Sequence, residues 1–170
     1  MPRIHVCSLA RIDDTARETG ARSMVTLINP DYPVERPDVI HPSRHLRLSL
    51  ADIDIPVDDH IAPEETHVRA LIDFARAWDR RAPLLIHCYA GVSRSTAAAL
   101  IAVCALAPTR EEREVAARLR AVSPTATPNR LLIRHADAVL GRDGRLIAAV
   151  EAIGRGADCF EGVPFALDIH

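Results

Sequence analysis

The segment that most constrains this chain lies at its middle. Leu84-Leu85-Ile86 is short, continuous and apolar, as a strand buried on both faces would be. From Ser95 to Leu106 the sequence is apolar nearly all round, which marks a buried helix. Residues 87–94 alone separate the two, so the connection is a tight loop at the end of a core strand. Such a unit belongs to an α/β layer fold. The flanking sequence alternates in the same way. Ile4–Leu9, Met24–Ile28 and Leu46–Leu50 read as strands. Asp13 or Asp14 can cap a short helix that Gly20 stops. Pro63 sits at the start of a helix whose inner face holds Val68, Leu71, Ile72, Ala75 and Trp78. The sequence Thr109-Arg110-Glu111-Glu112 has the form of a capping box, and Thr127-Pro128 opens one more helix. Leu146, Ile147, Val150 and Ile153 define a last one, ended by Gly154. The expectation is a central, mostly parallel sheet flanked by helices, in one domain over residues 1–170, with an irregular tail at 155–170.

Composition narrows the function. A chain of 170 residues, 48% hydrophobic and 26% charged, can bury one core without staples. A net charge of -2 leaves no electrostatic footprint for nucleic acid or an anionic membrane. All 21 basic residues are arginine, which removes the lysine-dependent phosphate loop of nucleotide-binding enzymes. The longest apolar run, Thr96–Pro108, falls short of a ~20-residue membrane span. The first residues are too polar for a signal peptide. Cys7, Cys88, Cys104 and Cys159 are widely spaced, so a reducing, cytoplasmic setting is expected. Cys104 on its apolar helix, and with it Cys7 and Cys159, reads as a small hydrophobe. His41 and His45 fall in a proline-rich, solvated loop, His60 and His67 on the surface. Nothing points to a metal site or a cofactor, and nothing sets the oligomeric state.

The chemistry is concentrated in the loop His87-Cys88-Tyr89-Ala90-Gly91-Val92-Ser93-Arg94-Ser95. A loop at the carboxyl end of a parallel strand is where ligands bind in such sheets. It opens a helix, whose free N–H groups and dipole attract an anion. Residues Tyr89, Ala90, Gly91, Val92 and Ser93 can curl into a ring of inward N–H groups, with Gly91 supplying a positive φ. Arg94 offers a planar fork for two oxygens of a phosphate. Cys88 then sits in a positive cradle, and the groups that hold phosphate also favour the attacking thiolate. The Ser95 hydroxyl can donate to that sulfur.

This pattern, His-Cys, five residues, Arg and then Ser, resembles the signature of the cysteine-dependent protein tyrosine phosphatase superfamily. The short chain and Ala90-Gly91-Val92-Ser93-Arg94-Ser95-Thr96 are similar to its compact dual-specificity branch. The likeness runs from the first strand through Pro128-Asn129 and fades beyond. It implies a hydrolase acting on phosphomonoesters without metal or cofactor. Cys88 would attack phosphorus, water would hydrolyse the phosphocysteine, and Arg94 with the loop amides would stabilise the equatorial oxygens. An aspartate on another loop would serve as acid and then base. In the family this residue follows a strand, which favours Asp52, then Asp54, over Asp58 and Asp59. The resemblance implies phosphotyrosine in protein as first substrate, with phosphoserine and phosphothreonine as further candidates. A phosphoinositide or nucleotide is the alternative, and the lack of further positive charge in the loop disfavours a heavily charged inositol phosphate. A binding module would not need Cys88, Arg94 and Ser95 together. A sulfurtransferase would not need His before the Cys and Ser after the Arg.

Overall fold

The computed structural model describes residues 2–170; Met1, the first residue of the expected domain span, lies outside them. Five strands, β1 (Arg3–Cys7), β2 (Ser23–Ile28), β3 (His45–Ser49), β4 (Leu84–His87) and β5 (Phe165–Asp168), form one sheet in the order β3-β2-β4-β1-β5. The first four pair in parallel, β1 and β2 both against β4, and β5 joins β1 antiparallel. The mixed α/β fold with a mostly parallel sheet is therefore as the sequence pattern requires. Six helices flank the sheet: α1 (Ile12–Thr19), α2 (Glu65–Ala77), α3 (Arg94–Leu106), α4 (Glu112–Val122), α5 (Arg130–Val139) and α6 (Arg145–Ile153).

The apolar run that led the sequence reading is the middle strand, and each residue of β4 is buried. Every residue of α3 is buried as well, between the sheet and helices α2, α4 and α5. The larger core holds Val25, Leu27, Ile86, Leu71, Leu100 and Ile133 among others. A smaller one under α1 contains Cys7, Ile12, Ala16, Met24, Ile40 and Leu85. Alternate residues of β4 thus enter opposite cores, as the two-residue period of a strand demands. No helix among the described residues is long and apolar enough to cross a membrane.

Several boundaries differ from the sequence reading, each for a physical reason. Residues 155–170 are not wholly irregular. Phe165–Asp168 form the edge strand β5, and Leu167 is buried. An edge strand of four residues with mixed burial leaves little periodic signal. Helix α4 starts at Glu112, not at Thr109. Glu112 is drawn inward by Arg142 (3.0 Å) and Arg145 (3.4 Å), so the Thr109 box is not used. Asn129, rather than Thr127, caps α5, its Oδ1 accepting from the Leu132 N–H at 3.0 Å. Helix α6 gets its cap from a distant residue. The buried Asp137 carboxylate accepts from the N–H groups of Gly144 (2.8 Å), Leu146 (2.9 Å) and Ile147 (3.2 Å). His45 does not sit in a solvated loop; it opens β3 half-buried and bonds Thr26 at 2.8 Å.

Candidate active site

Residues 88–93 link β4 to α3, and Arg94 is the first residue of α3. The loop's backbone is satisfied on one side only. Four of its carbonyls are tied outward: Tyr89 O accepts from Leu9 N (2.9 Å), Ala90 O from Gly162 N (2.8 Å), Val92 O from Thr127 N (2.9 Å) and Ser93 O from Asn129 N (3.2 Å). The N–H groups of Tyr89 to Arg94 find no acceptor among the described residues. Buried backbone donors are nearly always paired in proteins, so a run of unpaired ones is an anion-binding feature. Gly91 makes the curl possible. Its φ is +71°, and a Cβ there would lie 2.8 Å from the carbonyl carbon of Cys7 and 2.9 Å from Ser8 N. The loop is thereby pressed against the end of β1.

Cys88 is buried, and its Sγ lies 3.1 Å from Ser95 Oγ, the contact expected of a hydroxyl donor to sulfur. Arg94 is also buried. Its Nη1 donates to Asn29 Oδ1 and to Leu50 O, both at 2.9 Å, which fixes the guanidinium plane. Its Nε–H is buried without an acceptor among the described residues. A desolvated, unpaired donor of a cation is costly unless an anion completes it. Asn29, directly before Pro30, has only the local signature of a turn residue; nothing in the sequence around it marks a contact made across 65 positions. Arg47 holds that turn in place, Nη2 donating to the carbonyls of Asn29, Pro30 and Tyr32.

Of the acidic loop, one carboxylate reaches the site. Asp52 Oδ1 accepts from Ser93 Oγ at 2.7 Å and from Asn129 Nδ2 at 3.0 Å. The same Nδ2 donates to Ile53 O at 3.1 Å. Asn129 therefore caps α5 with its oxygen and clamps the acidic loop with its nitrogen. Asp54 is exposed and held through its backbone, where its carbonyl accepts from Arg134 Nη2 at 2.7 Å. Asp58 and Asp59 lie in an exposed turn, Asp59 at a φ of 62°. None of these three carboxylates bonds the loop among the described residues.

Beneath the loop, His87 is fully buried between Thr26 Oγ1 (2.7 Å from Nε2) and Cys88 O (3.0 Å from Nδ1). A carbonyl only accepts, so Nδ1 carries the proton and Nε2 accepts from the Thr26 hydroxyl. Burial lowers the His87 pKa to about 4 against the opposing pull of the hydrogen bond to Cys88 O, with weaker repulsion from His45, Arg47 and Arg94 adding to the drop, so the ring is neutral. Burial likewise pushes the thiols of Cys7 up to about 12 and Cys104 to about 11, in keeping with their reading as small hydrophobes. Cys159 departs from that reading and is exposed. At the mouth, Tyr89 packs edge-on against Tyr32, with ring centroids 5.4 Å apart and planes at 76°. Both rings are exposed at about the half level.

Solved structures with this architecture are phosphatases by name. The Cydia pomonella PTP-2 phosphatase is 18% identical, with a TM-score of 0.62, covering 79% of this chain and 84% of its own. DUSP15 is 18% identical with a TM-score of 0.63, covering 90% of this chain and 91% of its own. Human DUSP28 is 15% identical with a TM-score of 0.62, covering 82% and 94%. These likenesses show that the chain has the dual-specificity-phosphatase fold. The PTP-like phytase family model, described as inositol hexakisphosphate, matches residues 17–105. That span includes strands β2 to β4, the whole loop and nearly all of α3, and the chain belongs to this family. No curated protein matches the chain.

Proposed function

We propose that the chain hydrolyses phosphomonoesters, protein phosphotyrosine first, through a phosphocysteine at Cys88. The observation that carries this reading is the one-sided loop. Four of its carbonyls are tied away and, among the described residues, its N–H groups from Tyr89 to Arg94 are unpaired, around a buried thiol and a buried guanidinium whose Nε–H has no acceptor. In the first step Cys88 Sγ attacks phosphorus in line with the departing oxygen. The loop N–H groups of Tyr89, Ala90, Gly91, Val92, Ser93 and Arg94, with the Arg94 guanidinium, hold the equatorial oxygens as charge redistributes. Asp52 gives its proton to the leaving oxygen, so the alcohol departs neutral. In the second step Asp52 takes a proton from water, water attacks phosphorus, and the S–P bond breaks. Ser95 donates to the sulfur as negative charge returns to it.

The exposed Tyr32–Tyr89 pair at the mouth supports an aryl phosphate, because an aromatic leaving group can pack against it. The family match favours a second reading, a non-protein polyphosphate such as inositol hexakisphosphate. Against that reading, Arg94 is the only cationic side chain the loop supplies, and Asp52 stands beside it. We further infer one phosphatase domain over residues 1–170, supported by the single sheet that joins β1 to β5. Four free thiols support a reducing, cytoplasmic setting. The test is a comparison of kcat/KM for a phosphotyrosine peptide and for inositol hexakisphosphate under the same conditions. The peptide is expected to exceed the polyphosphate by at least about tenfold, the effect of ~1.4 kcal/mol in the transition state. The reverse order would assign the site to the polyphosphate.

A further inference from the structure

Two hollows run on from the catalytic loop along the start of α5. The first is lined by Asp52, Ser93, Asn129 and Arg130 among others. The second, of about 450 Å³, lies between the acidic loop, α5 and α6. They share Asp54, Thr127, Pro128 and Arg130 as walls, so they form one groove leading away from Ser93. The far hollow has an apolar lining from Ile55, Ile133, Ile147 and Val150. Its volume lies within the range of sites that take an organic side group.

The cations along this groove are not equivalent. Arg134 is committed to Asp54 O at 2.7 Å, and Arg155 to Asp158 at 2.6 Å. Asp54 and Glu151 stand on the same rim against Arg130, Arg134 and Arg155, so the far hollow carries a surplus of a single positive charge. Arg130 is different. It is exposed on the wall common to both hollows and makes no hydrogen bond or ion pair among the described residues. A free guanidinium midway along the groove, followed by an apolar hollow, has a definite complement.

We propose that this groove is a substrate subsite for a phosphopeptide bearing an acidic residue near the phosphotyrosine and a large apolar residue just beyond it. The acidic side chain pairs with Arg130, and the apolar one fills the hollow floored by Ile133, Ile147 and Val150. This assignment rests on the phosphotyrosine reading above and adds a sequence preference to it. Charge and surface together favour a peptide. An inositol polyphosphate has no apolar face to place against the isoleucines and needs several free cations where the groove offers one.

The test walks a Glu-Leu pair along either side of phosphotyrosine in otherwise alanine-based peptides. At one register kcat/KM should exceed that of the all-alanine peptide about fivefold or more, the scale of one exposed ion pair with an apolar contact added. Arg130→Glu should invert the acidic preference, so that a Lys-Leu peptide becomes the better substrate. Ile55→Asp, a change at an exposed rim position, should remove the preference for Leu and leave that for Glu. A flat profile across all registers, with a small aryl phosphate still turned over, would overturn the subsite and leave the phosphatase reading standing. So would an Arg130→Glu protein with an unchanged peptide profile and lowered turnover of inositol hexakisphosphate. If neither peptides nor aryl phosphates are hydrolysed, the phosphatase reading fails and takes the subsite with it.

Discussion

At the scale of single residues, the site rests on which polar atoms lack partners and which do not. Asp52 is the residue whose role the geometry sharpens most. Four aspartates compete in the sequence, and one of them has its carboxylate against the loop, through Ser93 and Asn129. Proton donation matters in proportion to the basicity of the leaving oxygen, and a positioned acid is worth roughly 10²–10⁴-fold. Asp52→Asn is therefore expected to slow phenyl phosphate by about 10²-fold or more and a strongly acidic aryl phosphate far less. Asp54→Asn and Asp58→Asn are expected to change both rates little. Rate ratios across a series of leaving groups decide it; the leaving-group dependence appearing in the Asp54 variant would move the acid there. The cysteine, the arginine, the serine and the glycine of the loop were legible in the sequence because they are contiguous and each has a distinct chemical signature. Asn29 and the clamp made by Asn129 were not. Their roles depend on contacts at separations of 65 and 77 residues, which no local pattern encodes.

At the scale of elements, β4 and its neighbours hold the loop from below through a hydrogen-bond chain. His45 on β3 donates to Thr26 on β2, Thr26 donates to His87 on β4, and His87 donates to Cys88 O. The chain works only with His87 neutral. A second ring proton, on Nε2, would take away the acceptor of the Thr26 hydroxyl proton. The His87 pKa of about 4 in the folded protein compares with ~6.5 in an unfolded chain. Between those values the unfolded state binds the extra proton, so folding stability falls as pH drops from about 6.5 towards 4. The loss attributable to this residue approaches ~3 kcal/mol at the lower end. Thermal melting from pH 8 to pH 4.5 should show this decline in the wild type. His87→Asn should begin less stable and show a shallower slope over the same range; an equal slope would remove His87 from the account. The strands β2 and β4 were readable from continuous apolar runs. The true start of α4 was not, because Glu112 is buried by an ion pair with residues thirty positions on.

At the scale of the whole molecule, the C-terminal segment closes the sheet and touches the loop between β4 and α3 in one pass. The chain leaves α6, bonds Pro124 O through Ala157 N, bonds Ala90 O through Gly162 N, and ends as β5 on the edge of β1. Gly162 is required where it passes, since a Cβ would lie 2.9 Å from Gly91 O. Leu167 and Ile169 then enter the main core at 1% exposure each, so the segment is structural and not an appendage. Leu167→Ala should cost about 2–5 kcal/mol in urea unfolding, the usual range for a buried leucine; a cost under about 0.5 kcal/mol would show the segment to be dispensable. The sequence concealed this because four residues with mixed exposure carry no clear period. Cys88→Ser is the decisive variant for the proposed role of Cys88 as nucleophile of a phosphoryl transfer. Serine keeps the shape of the loop and its unpaired N–H groups but supplies no thiolate at neutral pH. The measurement is turnover of an aryl phosphate by both proteins, with and without a chelator, alongside vanadate binding to each. The expected result is chelator-insensitive turnover in the wild type, none above background in Cys88→Ser, and vanadate bound by both. Turnover that survives in Cys88→Ser, or that a chelator abolishes in the wild type, would contradict it.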